Sequence, residues 1–223
     1  NLELERSGIR RRGAITHVMQ ERTGTRAMAN VLHRGQYDQP RDLVEASTPS
    51  ILPPMSAEMP RNRLGLAQWL VQRDNPLFSR VAVNRSWQEI FGTGLVKTAD
   101  DFGSQGEPPS HPELLDWMAV EFRESGWDVK RLMRMLVTSA AYRQSALATP
   151  DKLKTDPDNR LFARGPRFRM DGEMVRDYAL ASAGLLSPKI GGASVRTYQP
   201  EGVWEAVAMK ESDTRFYQRD SGE

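Results

Sequence analysis

The sequence contains no cysteine, which excludes a disulfide framework, thiolate catalysis, iron–sulfur ligation and covalent haem attachment through C-x-x-C-H within it. Long hydrophobic runs are missing too. No stretch approaches the roughly 18 continuous apolar residues of a membrane span, and the polar start Asn1-Leu2-Glu3-Leu4-Glu5 is not a signal peptide. The expectation is a chain with no membrane span that begins mid-protein. An excess of one charge is also lacking: 31 basic and 29 acidic residues are mixed along the chain and leave a formal charge of +2. The pI near 9.0 therefore reflects near-balance, not a basic field. The longest basic run, Arg10 to Arg12, is too short to neutralise many phosphates, so no nucleic-acid partner is expected. Histidine is scarce: His17, His33 and His111 are the only three, and none has the i, i+3 or i+4 spacing that presents two ligands on one helix face. No metal site is expected.

What is present supports a real core, because 39% apolar and 27% charged residues over 223 positions fall in the ordinary globular range. Residues 14 to 21 and 26 to 34 are rich in Val, Ile, Thr and Met and flank Arg22-Thr23-Gly24-Thr25, which predicts a small N-terminal β-hairpin. From Tyr37 onward Pro40, Pro49, Pro53, Pro54 and Pro60 punctuate a stretch of little periodicity, read as an extended connection.

Helix signals follow. Asn62 can cap a helix with Leu64, Ala67, Leu70 and Val71 along one stripe; Asn75-Pro76 opens another that runs to Phe91 before Gly92 and Gly94. Apolar residues on several faces of that second helix predict a central, buried position. Ser110 with Glu113 has the spacing of a capping box before Leu114, Leu115, Met118, Ala119 and Phe122. Asp128 is the expected cap of the next helix, with Val129, Leu132, Met133, Leu136 and Val137 inward and the two helices paired antiparallel. Residues 149 to 160 read as a loop, and Asp171 caps a helix carrying Met174, Val175 and Tyr178. The predicted fold is mainly α: an irregular multi-helix domain with a small N-terminal β-hairpin, divided into residues 1–60 (hairpin and connection) and a helical domain over 61–223.

Three constellations could carry chemistry. The loop from Asp100 to His111 concentrates Asp100, Asp101, Glu107 and His111 between two helices, groups that could serve as general acid and base. They are the candidate catalytic residues, against the reading of an ordered connection whose carboxylates pair with helix arginines. Arg80, Asn84 and Arg85 interrupt the most apolar helix and require partners, with Asp100, Asp101 and Asp116 the nearest by architecture. They are the candidate binding residues, against a structural ion-pair network. Phe91-Gly92-Thr93-Gly94 follows a helix and lacks the third glycine and the Lys-Ser or Lys-Thr of a phosphate loop.

Several of these segments also carry a resemblance. Asn75-Pro76-Leu77, Val81-Ala82-Val83-Asn84-Arg85, Phe91-Gly92-Thr93-Gly94-Leu95-Val96, Asp101-Phe102-Gly103-Ser104-Gln105-Gly106 and Pro109-Ser110-His111-Pro112-Glu113 lead it. Ser139-Ala140-Ala141-Tyr142-Arg143, Asp156-Pro157-Asp158-Asn159-Arg160-Leu161 and Tyr198-Gln199-Pro200-Glu201-Gly202-Val203-Trp204 extend it. Together they resemble the planctomycete family of domain of unknown function 1553, the C-terminal module of large secreted proteins that often carry a cytochrome-c-like domain. The resemblance implies an extracytoplasmic location, periplasmic or at the cell surface, and a domain that continues past the last residues here. It implies no cofactor in this chain, haem c elsewhere in the parent protein, and the parent's other domains as partners. It brings no catalytic residues.

The function expected is a helical scaffold or interaction domain. Two alternatives stand beside it: a polysaccharide-active hydrolase or lyase using the 100–111 loop, and a carbohydrate-binding module with tryptophans on one surface, both taking polysaccharide as partner.

Overall fold

The computed structural model describes residues 17–21, 24, 28–192, 194–207 and 218–220. Helix is the main regular structure among them, with long irregular connections between the helices. The order is β1 (Met28–Leu32), β2 (Pro40–Glu45), α1 (Arg63–Leu70), α2 (Phe78–Phe91), α3 (Pro112–Glu124), α4 (Val129–Thr138), α5 (Ala140–Arg143), α6 (Pro150–Thr155), α7 (Gly172–Ser182) and α8 (Val203–Val207). The chain divides into two compact units, Asn1–Phe168 and Arg169–Glu223.

The N-terminal hairpin exists, but with a different partner from the one expected. β1 falls inside the expected second strand and pairs antiparallel with β2, Met28 opposite Glu45 and Asn30 opposite Leu43, with a register shift before Leu32–Pro40. The prolines of 40–60 suggested a plain connection, yet Pro40 is only the first residue of its strand, where a missing N–H costs no ladder bond. Residues 17–21 form no strand, and 14–16 lie outside the described residues. A turn over His33–Gly35 closes the hairpin, and Arg41 Nη2 donates to His33 Nδ1 across it at 3.0 Å. His17 is exposed and outside the hairpin.

α1 starts at its predicted cap: Asn62 Oδ1 accepts from Gly65 N at 3.1 Å. The buried stripe, however, is Gly65 and Trp69, while Leu64 and Val71 are exposed. The cause is tertiary. Gly65 sits on the Pro60 carbonyl, and Trp69 Nε1 donates to Pro53 O at 2.7 Å, so the proline-rich segment sets which face turns inward.

α2 is the central helix of the first unit. Asn75 Oδ1 accepts from Leu77 N at 3.0 Å and Phe78 N at 3.2 Å, so the residue predicted to open the helix does satisfy its first donors, with regular geometry starting two residues late. Val83, Trp87 and Phe91 are buried and join Leu95, Val96, Leu115, Met118, Phe122, Leu132 and Leu136 in one hydrophobic cluster. α3 supplies its predicted face of Leu115, Met118, Ala119 and Phe122. The capping box does not form: His111 is the N-cap residue and makes no side-chain cap, while Ser110 is drawn away by Leu95 O, which accepts from its N at 2.9 Å. Asp128 does cap α4, accepting from Arg131 N at 3.0 Å, but only Leu132 and Leu136 are fully buried; Val129 and Val137 face outward. The closest helix pair is α2 with α3, rather than α3 with α4.

The expected loop at 149–160 contains α6, capped by Thr149 Oγ1 at Lys152 N. In the second unit Asp171 Oδ1 caps α7 at Met174 N, 2.8 Å, and no residue of α7 is buried. No helix of the described residues is long and apolar enough to cross a membrane.

Candidate functional site

The groups of the 100–111 loop are held by local bonds. Asp101 Oδ1 accepts from Gly103 N at 2.7 Å, and Thr98 Oγ1 both donates to Asp101 O and accepts from Glu107 N, each at 2.9 Å. This is a self-bonded turn of the kind Asp and Thr build from backbone donors. Asp100 is almost wholly exposed and meets Arg85 at 3.2 Å; Glu107 lies 4.0 Å from Lys97. His111 Nδ1 is 3.0 Å from Ser110 Oγ, and its ring leans on Phe162 with centroids 5.6 Å apart. No group of three or more metal-binding side chains occurs among the described residues.

The polar residues of α2 divide by depth. Arg80 Nε donates to Asp116 Oδ1 on α3 at 2.6 Å and its Nη1 to Pro76 O, while Arg85 takes Asp100; two of the carboxylates expected from the sequence are thus used. The Arg80 guanidinium holds the Asp116 carboxyl below its ordinary range by direct hydrogen bonding, against a smaller opposing effect of burial. Asn84 behaves differently. It is fully buried, its Oδ1 accepting from Val96 N at 2.8 Å and its Nδ2 donating to Val96 O at 3.0 Å, an amide pair that mimics a strand partner. Gly94 makes room for it, since a Cβ there would lie 2.5 Å from Val96 O and 2.7 Å from Asn84 Nδ2.

A cleft of about 230 Å³ lies between the C-terminal end of α2 and the segment from Pro157 to Phe168. Its wall is built from turn chemistry. Both carboxylate oxygens of buried Asp156 accept backbone N–H groups, from Arg160 and Leu161, at 2.8 Å. Asn159, in the left-handed region at φ 53°, brackets Arg164 by donating to its O at 2.9 Å and accepting from its N at 3.2 Å. Phe162 is held at φ 51°, a conformation costly for a bulky side chain, and Gln144 Nε2 donates to its carbonyl at 2.6 Å. Arg164, only 6% exposed, sends Nη1 to Asp156 O at 2.9 Å and Nη2 to Pro157 O at 2.6 Å. On the α2 side, Gly92 closes the helix at φ 79°, and a Cβ there would lie within 2.8 Å of the Phe168 ring, so only glycine leaves that ring its place.

None of Asp100, Asp101, Glu107, His111, Arg80, Asn84 or Arg85 lines this cleft. Arg164, Arg167 and Asn159 do, and the sequence did not single them out. The sequence reads 149–160 as a loop, but burial of an arginine five residues after Asn159 depends on a fold-back that no local signal encodes. The tryptophans offer no common platform: Trp69 and Trp87 are buried, Trp127 is wedged edge-on between Phe78 and Phe122, and Trp117 alone of these four is exposed.

Comparison with known proteins gives one family. No curated protein and no solved structure matches the sequence. The family model described as PSD1, protein of unknown function (DUF1553), matches residues 62–221, from the cap of α1 through both units. With that match covering well over half of its length, the chain belongs to the DUF1553 family.

Proposed function

We propose that this chain is a helical scaffold or interaction domain whose partners are the other domains of a secreted, cytochrome-associated parent protein. The reading places it outside the cytoplasm, periplasmic or at the cell surface, with any haem c carried elsewhere in the parent. The family resemblance supports that setting. One observation favours it over the hydrolase or lyase reading: the acidic and imidazole groups of the 100–111 loop are engaged in local bonds and ion pairs, and none lines the cleft beside α2. A site for acid–base hydrolysis needs such groups converging around one substrate.

The test is turnover. Incubation of the chain with neutral, uronate-containing and sulfated polysaccharides is expected to release no product. Product release that Asp101→Asn abolishes at an unchanged melting temperature would sink the scaffold reading and favour a hydrolase or lyase.

A further inference from the structure

We infer that the cleft between the end of α2 and the Pro157–Phe168 segment binds a small organic oxyanion, a carboxylate or sulfate on a body about one ring in size. The inference goes beyond the scaffold reading and stands or falls separately from it.

The cation at the site carries the argument. Arg164 is more than nine-tenths buried and lines the cleft, yet the two hydrogen bonds of its guanidinium go to neutral carbonyls, Asp156 O and Pro157 O. Among the described residues it forms no ion pair with a carboxylate. Asp156, which supplies one of those carbonyls, has both carboxylate oxygens accepting backbone N–H groups. A buried guanidinium whose two hydrogen bonds go to carbonyls keeps further N–H donors, and its planar fork matches the paired oxygens of a carboxylate or sulfate. Arg167, exposed at the rim, adds a second positive charge, and Phe162 and Phe168 add apolar ring surface for the body of the ligand. Asp158, also exposed on the rim, opposes an anion and supplies an internal control. The volume of about 230 Å³ is below the ~300–1,000 Å³ common for drug-sized ligands, which restricts the occupant to roughly a single ring.

The chain's own bonds fix the wall. Asn159 clamps Arg164 through both of its amide atoms, Lys152 Nζ donates to Ala163 O at 2.9 Å, and Gly165 N donates to Ser145 O at 3.0 Å. Little ordering is left for binding to supply.

The experiment is calorimetric titration of the whole chain at fixed ionic strength with glucuronate, glucose 6-sulfate and benzoate, with glucose as the neutral control. At least one anionic probe is expected to saturate while glucose does not; saturation by benzoate alone assigns an aromatic acid, and by the sugar anions a sugar acid or sulfate. Arg167→Ala is expected to weaken binding about tenfold, and Asp158→Asn to strengthen it a few-fold, both at unchanged melting temperature. Arg164→Lys keeps the charge and loses the fork, so it is expected to weaken binding further; if that variant unfolds, the two rim variants decide. Absence of saturation by every anion, or an affinity that neither rim substitution changes, overturns the site. Conversion of a bound probe to product would overturn the scaffold reading and leave the site standing.

Discussion

Asn84 shows how one polar side chain in an apolar helix can be structural. Its amide satisfies both backbone groups of Val96 in a fully buried setting, and Gly94 leaves the space for it. Replacing Asn84 with Ala strands a buried N–H and a buried C=O, so a loss of about 2–4 kcal/mol is expected from urea unfolding. Gly94→Ala should cost a comparable amount, because the added methyl meets backbone and amide atoms that have no room to retreat. Arg80 and Asp116 belong to a different class, half-exposed at the junction of α2 and α3. The Asp116 carboxyl is held below its ordinary value of 3.8 in the folded chain, so the unfolded chain takes up its proton first on acidification. The stability this pair adds is therefore complete above about pH 4 and fades as pH falls through the lower folded value. A double-mutant cycle with Arg80→Met and Asp116→Asn should give a coupling of about 0.5 kcal/mol at pH 7, because exposure and salt screen the pair, and a smaller one as pH falls below about 4. Coupling that does not decline on acidification would rule the charge pair out as its source.

At the scale of elements, caps separate into those that act and one that does not. Asn62, Asp128 and Asp171 each bond the donor three residues on, as their sequence positions predicted. Ser110 has the same signature but spends its N–H on Leu95 O, leaving Pro112 to start α3 with no donor to satisfy at that position. Asp128→Ala should thus cost about 1 kcal/mol, whereas Glu113→Ala, which would disrupt a capping box, should change stability by less than about 0.5 kcal/mol. Equal losses at both positions would mean that the box forms after all. Helix faces were less legible than helix caps. Periodicity placed the inward face of α3 correctly, yet α1 and α4 turn Val71, Val129 and Val137 to the outside. Short helices with apolar residues on two sides fit either rotation, and the neighbour decides which is buried.

At the scale of the molecule, the core is concentrated. Its fully buried cluster runs from Val83 to Leu136, with Phe162 packed against it, all within the unit that ends at Phe168. The other unit keeps Met174, Val175, Tyr178 and Leu185 exposed, and α7 buries nothing. Cooperative unfolding follows buried apolar area. A chain ended at Phe168 is accordingly expected to melt within a few degrees of the whole chain, with the same transition seen by circular dichroism and by tryptophan fluorescence. A drop of more than about 10 °C would show that residues past 168 contribute to that core's stability.

By itself the sequence determined what depends on near neighbours: no disulfides, the helical character, three working caps, the family and the central place of α2. These rest on backbone donors within a turn and on motifs that persist in one chain. Tertiary structure alone decided the partner of β1, the inward faces of α1 and α4, and the assembly of the cleft. Each joins residues far apart in the chain, as when Arg160 Nη1 reaches Gly94 O at 3.1 Å or Trp69 reaches Pro53 O. Such bonds are chosen by competition among whole arrangements, and local spacing carries no record of which arrangement buries the most apolar surface while leaving the fewest polar groups unpaired.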